Sequence, residues 1–422
     1  MIKEQLERLK QSRFSRDTMW LIGAQGVLMI SGFGVNLLVG KVHGAEALGI
    51  FSQALAFYTI LSTFFALGLN NTITKKISEG QRTTEENQLI LTSNLAVTLI
   101  FSGFMSAVMI ILSKMQPQLF SSPELARVVW IPLLALPFFN LNKNFGAYFS
   151  GLRLQKRFAQ QRILRWSIII TFVGATVLAG LSIKTTLWCF FVAEITVFLM
   201  NTLQLRGRFN MKIKIITIVE NLKFGMKTYV AELISVLNAS LDVILIGYFL
   251  TNAETGIYSF IVYFTKTLYI FPGIMMQNFS PIVSKTWATE KKEELLIKMH
   301  SIKKINRWVV SAQLVVLLLA YPLITLFVKK EFSGTFGLFA ITAFGAFIFS
   351  LIAWSGSMLI MTNKLNKNIQ RVGLIITFSA LSTILLTSFY GLQGACIGYS
   401  LNAIISYVAT SRHIKSALGI SV

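Results

Sequence analysis

Charged residues make up only 13% of this 422-residue chain, against about 25% in an ordinary soluble globular protein. That shortage excludes a soluble enzyme, which needs a polar shell around its core. Cysteine is nearly absent: Cys189 and Cys396 both lie in apolar stretches, so neither a disulfide framework nor a thiolate metal cluster is readable. The three histidines, His43, His300 and His413, are scattered, and no Gly-rich P-loop offers a nucleotide site. No cofactor is expected. Only seven prolines occur, which suits long, uninterrupted helices.

What is present is apolar or basic. Hydrophobic residues account for 54% of the chain, with 34 Phe, and 39 Lys and Arg face 17 Asp and Glu for a net charge of +22. In a soluble protein that excess would suggest nucleic acid. In a membrane protein it is explained by basic cytoplasmic loops against anionic lipid, so nucleic acid is not an expected partner. Met19 to Gly40 runs without a charge. It is longer than a signal-peptide core and is predicted to be a retained first helix.

Twelve spans are predicted, at 18–42, 49–70, 88–112, 125–150, 163–182, 185–204, 228–250, 256–280, 305–328, 333–361, 370–390 and 393–411. The segments between them alternate in charge. One side collects 31 Lys and Arg and the other only Lys41, Lys114, Arg127, Lys184, Lys329 and Lys330. The positive-inside rule then places both termini in the cytoplasm. Ile2, Leu6 and Leu9 give the N-terminal tail an apolar face, as Leu295, Met299 and Ile302 do for the segment 287–305. Each reads equally as an interfacial lipid-gripping helix or as a plain connector.

The second half echoes the first at an offset of 207 residues. Nine of the 37 positions from Val35 to Asn71 are identical, including Gly49-Ile50 with Gly256-Ile257 and Ser52 with Ser259. Six spans per half keep both copies in the same orientation. The predicted fold is therefore an all-α membrane protein, twelve transmembrane helices in two six-helix lobes related by a parallel internal repeat. The predicted domains are a cytoplasmic amphipathic tail (1–17), an N-terminal six-helix lobe (18–205), a cytoplasmic basic linker (206–227), a C-terminal six-helix lobe (228–411) and a cytoplasmic tail (412–422).

Five charges fall inside spans and more than three residues from either end: Lys143, Glu194, Glu232, Asp242 and Lys266. Each costs about 2.5–3.5 kcal/mol at mid-bilayer, so they are expected to face a cavity, pair, or lie near an interface. Thr228, Glu232, Ser235, Asn238 and Asp242 share one helical stripe. Under the repeat Glu232 corresponds to Gln25, whose stripe includes Asn36. Asp242, Glu232 and Glu194 are the candidates for coupling to Na+ or H+, a carboxylate in low dielectric being able to titrate. A plain ion pair is the alternative for Glu194, and a packing role for Asp242. Lys266 and Lys143, the latter between Asn140 and Asn144, are candidate contacts for an anionic substrate, with Gln25 and Asn36 as further lumen groups. Pro272-Gly273 and Pro322 are candidate points of helix bending.

The run Asn238-Ala-Ser-Leu-Asp-Val-Ile-Leu-Ile-Gly247, followed by Gly256-Ile-Tyr-Ser259, and its counterpart Leu37–Ser52 resemble bacterial O-antigen (Wzx-type) flippases. These belong to the multidrug/oligosaccharidyl-lipid/polysaccharide exporter superfamily. The resemblance implies two lobes around a lumen and alternating-access movement of an undecaprenyl-pyrophosphate-linked oligosaccharide from the cytoplasmic to the periplasmic leaflet of the bacterial inner membrane. The partners to expect are that glycan lipid, anionic lipids, Na+ or H+ and polysaccharide polymerase machinery. A cation-coupled multidrug exporter of the same superfamily is the alternative. A membrane polymerase or ligase fits poorly, because the predicted external loops carry no paired carboxylates or nucleophile–base set.

Overall fold

The computed structural model describes residues 13–80, 82–206, 214–288 and 292–420. The N-terminal tail face of Ile2, Leu6 and Leu9, and most of the 206–227 linker's first half, lie outside the described residues. Among them every regular element is helical. The long helices are α1 (Arg13–Val42), α2 (Ala45–Ala66), α4 (Thr84–Met115), α6 (Trp130–Gly151), α7 (Gln155–Leu178), α9 (Trp188–Gln204), α10 (Ile215–Phe249), α11 (Asn252–Lys266), α12 (Ile270–Ala288), α13 (Lys292–Thr325), α14 (Phe336–Ala353) and α16 (Leu365–Leu418). Short helices α3 (Leu69–Ser78), α5 (Pro123–Val128), α8 (Ile183–Thr186) and α15 (Met358–Met361) join them. Ten helical stretches among the described residues are long and apolar enough to cross a membrane. The chain is a multi-pass membrane protein.

Its packing is inverted relative to a soluble protein. Ile100, Phe104, Leu319, Leu326 and Phe389 stand exposed, while Asn94, Thr98, Ser102 and Ser106, spaced every four residues along α4, are buried. Hydrocarbon neither rewards burial of apolar side chains nor hydrates polar ones, so small polar groups turn to neighbouring helices. Asn140 of α6 donates to Ser102 Oγ at 3.0 Å and Asn144 to Thr98 Oγ1 at 2.7 Å. These bonds lock α6 to α4.

Helix boundaries follow local chemistry. Thr83 and Glu86 form a capping box at the start of α4, and Thr251 and Glu254 form another at the start of α11. Between α11 and α12 the backbone tightens into a 3-10 turn, Thr267–Tyr269. Pro272 lacks the N–H that would bond to residue 268, so the regular ladder fails just ahead of it. Pro322 lies within the continuous α13. The segment labelled α16 is two helices meeting at a kink at Gly391, φ 57°, between the spans predicted at 370–390 and 393–411.

Of the described residues, one compact unit takes 13–42 and 54–236, and the other takes 43–53 and 237–420. The division cuts through α2 and α10, so each belongs partly to both. In the second unit the first turns of α2 and α11 touch backbone to backbone. A Cβ on Gly49 would lie 1.8 Å from Asn252 O, and one on Gly256 would lie 1.9 Å from Ala45 O. Gly49 and Gly256, like Ala45 and Asn252, are 207 positions apart, the offset of the sequence echo. Gln53 Nε2 donates to Asn252 Oδ1 at 3.1 Å, and the Glu331 carboxylate accepts from Ala45 N at 2.6 Å, capping α2. The predicted amphipathic stretch at 287–305 turns its apolar face inward: Leu295 and Met299 are buried against Phe279, Trp354 and Ile414.

Candidate functional site: a cationic cavity and an acidic cavity

The first unit holds a cavity of about 300 Å³ whose lining includes Asn70, Phe139, Asn142, Lys143, Gln161, Arg162, Arg165 and Glu194. Three cations reach it. Lys143 projects from α6, past Pro137. Arg162 and Arg165 lie three residues apart on α7, one turn apart and therefore on one face. Arg165 Nε lies 2.5 Å from Glu194 Oε1 of α9. Glu194 also accepts from Tyr58 OH at 3.0 Å and from Asn142 Nδ2 at 2.9 Å. Asn142 in turn takes Asn201 Nδ2 at 3.1 Å. Glu194 is thus a fully buried, fully partnered carboxylate, the ion pair foreseen as its plainer role. The Arg165 guanidinium and the Lys143 ammonium also approach the Phe139 ring, at 4.4 and 5.1 Å from its centroid.

The remaining predicted groups of this unit separate into two sets. Lys143 Nζ lies 3.8 Å from Glu232 Oε1, and Glu232 takes Asn71 Nδ2 at 2.9 Å. Gln25 Oε1 accepts from Arg162 Nη2 at 3.0 Å. Lys143 and Arg162 line the cavity, and Glu232 and Gln25 contact them from beside it. Asn140 and Asn144 instead face α4, and Asn36 donates to Gly32 O of its own helix at 2.8 Å. Arg162, Arg165, Tyr58, Asn142 and Gln161 escaped the sequence reading. The predicted span at 163–182 leaves Arg162 in the loop before it and Arg165 in its first turn, whereas α7 starts at Gln155. The readable signal was Gln161-Arg162-x-x-Arg165 continuing directly into an apolar helix.

The second unit holds another cavity of about 300 Å³, lined by Asn238, Asp242, Tyr258, Lys266, Tyr269, Ser379, Thr383, Tyr399, Asn402 and Ser406 among others. Tyr258 OH donates to Asp242 Oδ2 at 2.9 Å, and Asp242 Oδ1 is buried without a hydrogen-bond partner. Lys266 Nζ donates to Ala239 O at 3.0 Å. The structure therefore brings Asp242 and Lys266 to one hydroxyl-rich cavity. Among the described residues no group of three or more His, Cys, Asp or Glu side chains is arranged to hold a metal ion.

Residues 14–287 match the family described as polysaccharide biosynthesis protein. The chain belongs to that family. The fold of this family member is also that of solved transporters. It resembles an inward-facing multidrug resistance MATE family transporter of the MOP superfamily, with TM-score 0.79 and 13% identity over 94% of this chain and 96% of that one. The lipid II flippase MurJ, in an inward closed conformation, aligns with TM-score 0.75 and 16% identity over 94% and 87% of the two chains. A MOP superfamily transporter from Pyrococcus furiosus aligns with TM-score 0.60 and 15% identity over 96% of each chain. Among curated proteins nothing matches. At these identities the likeness speaks for the fold.

Proposed function

We propose that this family member is a flippase that moves undecaprenyl-pyrophosphate-linked oligosaccharide from the cytoplasmic to the periplasmic leaflet by alternating access, for surface polysaccharide synthesis. The observation that carries this reading is the cationic cavity. Lys143, Arg162 and Arg165 meet there beside Asn70, Asn142 and Gln161, so charge for a pyrophosphate and amides for sugar hydroxyls stand together. Arg162 takes an amide oxygen rather than a carboxylate, which leaves its charge uncompensated.

The chain has twelve spans in this reading. The ten apolar stretches are joined by α6, and the helix interrupted at Gly391 counts twice. Both termini then lie in the cytoplasm of a bacterium, with the basic loops against anionic lipid. The reciprocal packing of Gly49 and Gly256, 207 positions apart, supports the internal repeat. Of the three acidic coupling candidates, Glu194 and Glu232 face cations, so Asp242, with one oxygen unpartnered, is assigned to Na+ or H+ coupling. Contact with polymerase machinery belongs to the same reading.

The second reading, a cation-coupled multidrug exporter, is favoured by the fold likeness to the MATE transporter and by Asp242. Arg162, the cation of the first cavity that bonds an amide rather than a carboxylate, opposes it, since it repels cationic drugs. The test is complementation of a deletion strain with Lys143→Gln and Arg162→Gln. Both are expected to reach the membrane and to fail to restore surface polysaccharide. Full restoration by both would contradict the proposal.

A further inference from the structure

Glu232 sits where a substrate phosphate would be expected to sit. Its carboxylate meets the Lys143 ammonium at 3.8 Å, Asn71 Nδ2 at 2.9 Å and Asn70 Nδ2 at 3.4 and 3.5 Å. One cation with neutral N–H donors is also the set that a phosphate oxygen takes. Lys143 and Asn70 line the cationic cavity, and Glu232 is not among its lining residues. A phosphate group inside the cavity therefore reaches the same two donors from the cavity side. Three of the four contacts are long, so they exchange readily. The repeat supplies a comparison: Gln25, the counterpart of Glu232 at the 207-residue offset, also accepts from a cation of this cavity, Arg162, but without charge.

We propose that Glu232 is a displaceable internal anion, which the phosphate of the substrate evicts from Lys143 and Asn70, loosening α10 from α3 and α6. This rests on the proposed binding of an anionic lipid-linked substrate in the cationic cavity. The other ties of α10 to this unit lie N-terminal to Glu232: Asn221 Nδ2 donates to Asn94 Oδ1 at 3.0 Å, Tyr229 packs on Phe64 and Lys75 lies over the Phe224 ring. Gly225 packs on Gly68, Thr72 Oγ1 donates to Asn221 O at 3.2 Å, and Glu220 pairs with Lys76 at 3.4 Å. α10 continues past Val236 into the second unit, so occupation of the cavity acts on a helix that both units share. Substrate presence is thereby reported to α10 by charge replacement, with no separate regulatory site.

The full chain in lipid nanodiscs, titrated at low salt with inorganic pyrophosphate, tests this. Glu232→Gln removes the competitor and is expected to bind on the order of tenfold more tightly than the unaltered protein. Lys143→Gln is expected to weaken binding and to cancel the gain in the double variant. A purely structural role for Glu232 would not raise affinity. As a second measurement, Lys76→Cys with Glu220→Cys reports α10 docking through a thiol crosslinker. Pyrophosphate should lower the crosslinking yield, and it should not do so when Lys143→Gln is added. Binding by the unaltered protein that Glu232→Gln leaves equal or weaker, or crosslinking that pyrophosphate leaves unchanged, would overturn the displacement. Absence of pyrophosphate binding in every variant would overturn the cationic-cavity reading itself.

Discussion

Removing the Glu194 carboxylate leaves the Arg165 guanidinium enclosed without its counter-charge. Glu194→Ala is therefore expected to cost about 3–5 kcal/mol, read as a lowered thermal midpoint of the purified protein. His43, between α1 and α2, lies outside the spans, and burial together with nearby Lys329 holds its imidazole below the ordinary value. The unfolded chain then binds a proton that the folded chain refuses, so His43 contributes stability above its unfolded value of about 6.5 that is lost as pH falls through the folded one. His43→Gln should flatten that part of the stability–pH profile in a melting series from pH 7.5 to 5. Five of the intramembrane charges were legible in the sequence because each is costly in hydrocarbon, while Arg162 and Arg165, at the start of a span, were not. Which charge meets which was not, because pairs such as Arg165 with Glu194 and Lys143 with Glu232 join residues 29 and 89 positions apart, and only the tertiary packing aligns them.

Between helices, the contacts that matter most are the ones that permit no side chain. A methyl group at Gly49 or Gly256 would overlap a carbonyl oxygen of the facing helix. Gly49→Ala or Gly256→Ala should thus destabilise by roughly 3 kcal/mol or more, seen as loss of folded protein in a detergent melting assay. Thr83→Ala removes half of a solvent-side capping box and should cost only about 1 kcal/mol. The glycines were visible in the echo between halves, but the predicted spans begin at Gly49 and Gly256, four residues after α2 and α11 start. The α4 stripe of Asn94, Thr98, Ser102 and Ser106 was not identified as the partner of Asn140 and Asn144. A polar face inside an apolar helix suits either a wet lumen or a neighbouring helix, and periodicity alone does not separate them. The break between the spans predicted at 370–390 and 393–411 falls at Gly391, where a single positive-φ glycine bends the chain without the polar run that normally announces a loop.

For the whole molecule, the basic residues predict an orientation that labelling can check. The native cysteines are both buried, so an introduced one is read cleanly. In this topology Tyr390→Cys, exposed beside Gly391, reacts with a membrane-impermeant maleimide from outside the cell. Arg82→Cys reacts only after the membrane is opened. The most direct measurement is deletion of the chain in its host, followed by locating the lipid-linked sugar intermediates. Loss of surface polymer with intact repeat units held on the cytoplasmic leaflet is the predicted result. Normal polymer, or repeat units accumulating on the periplasmic leaflet, would contradict a flippase.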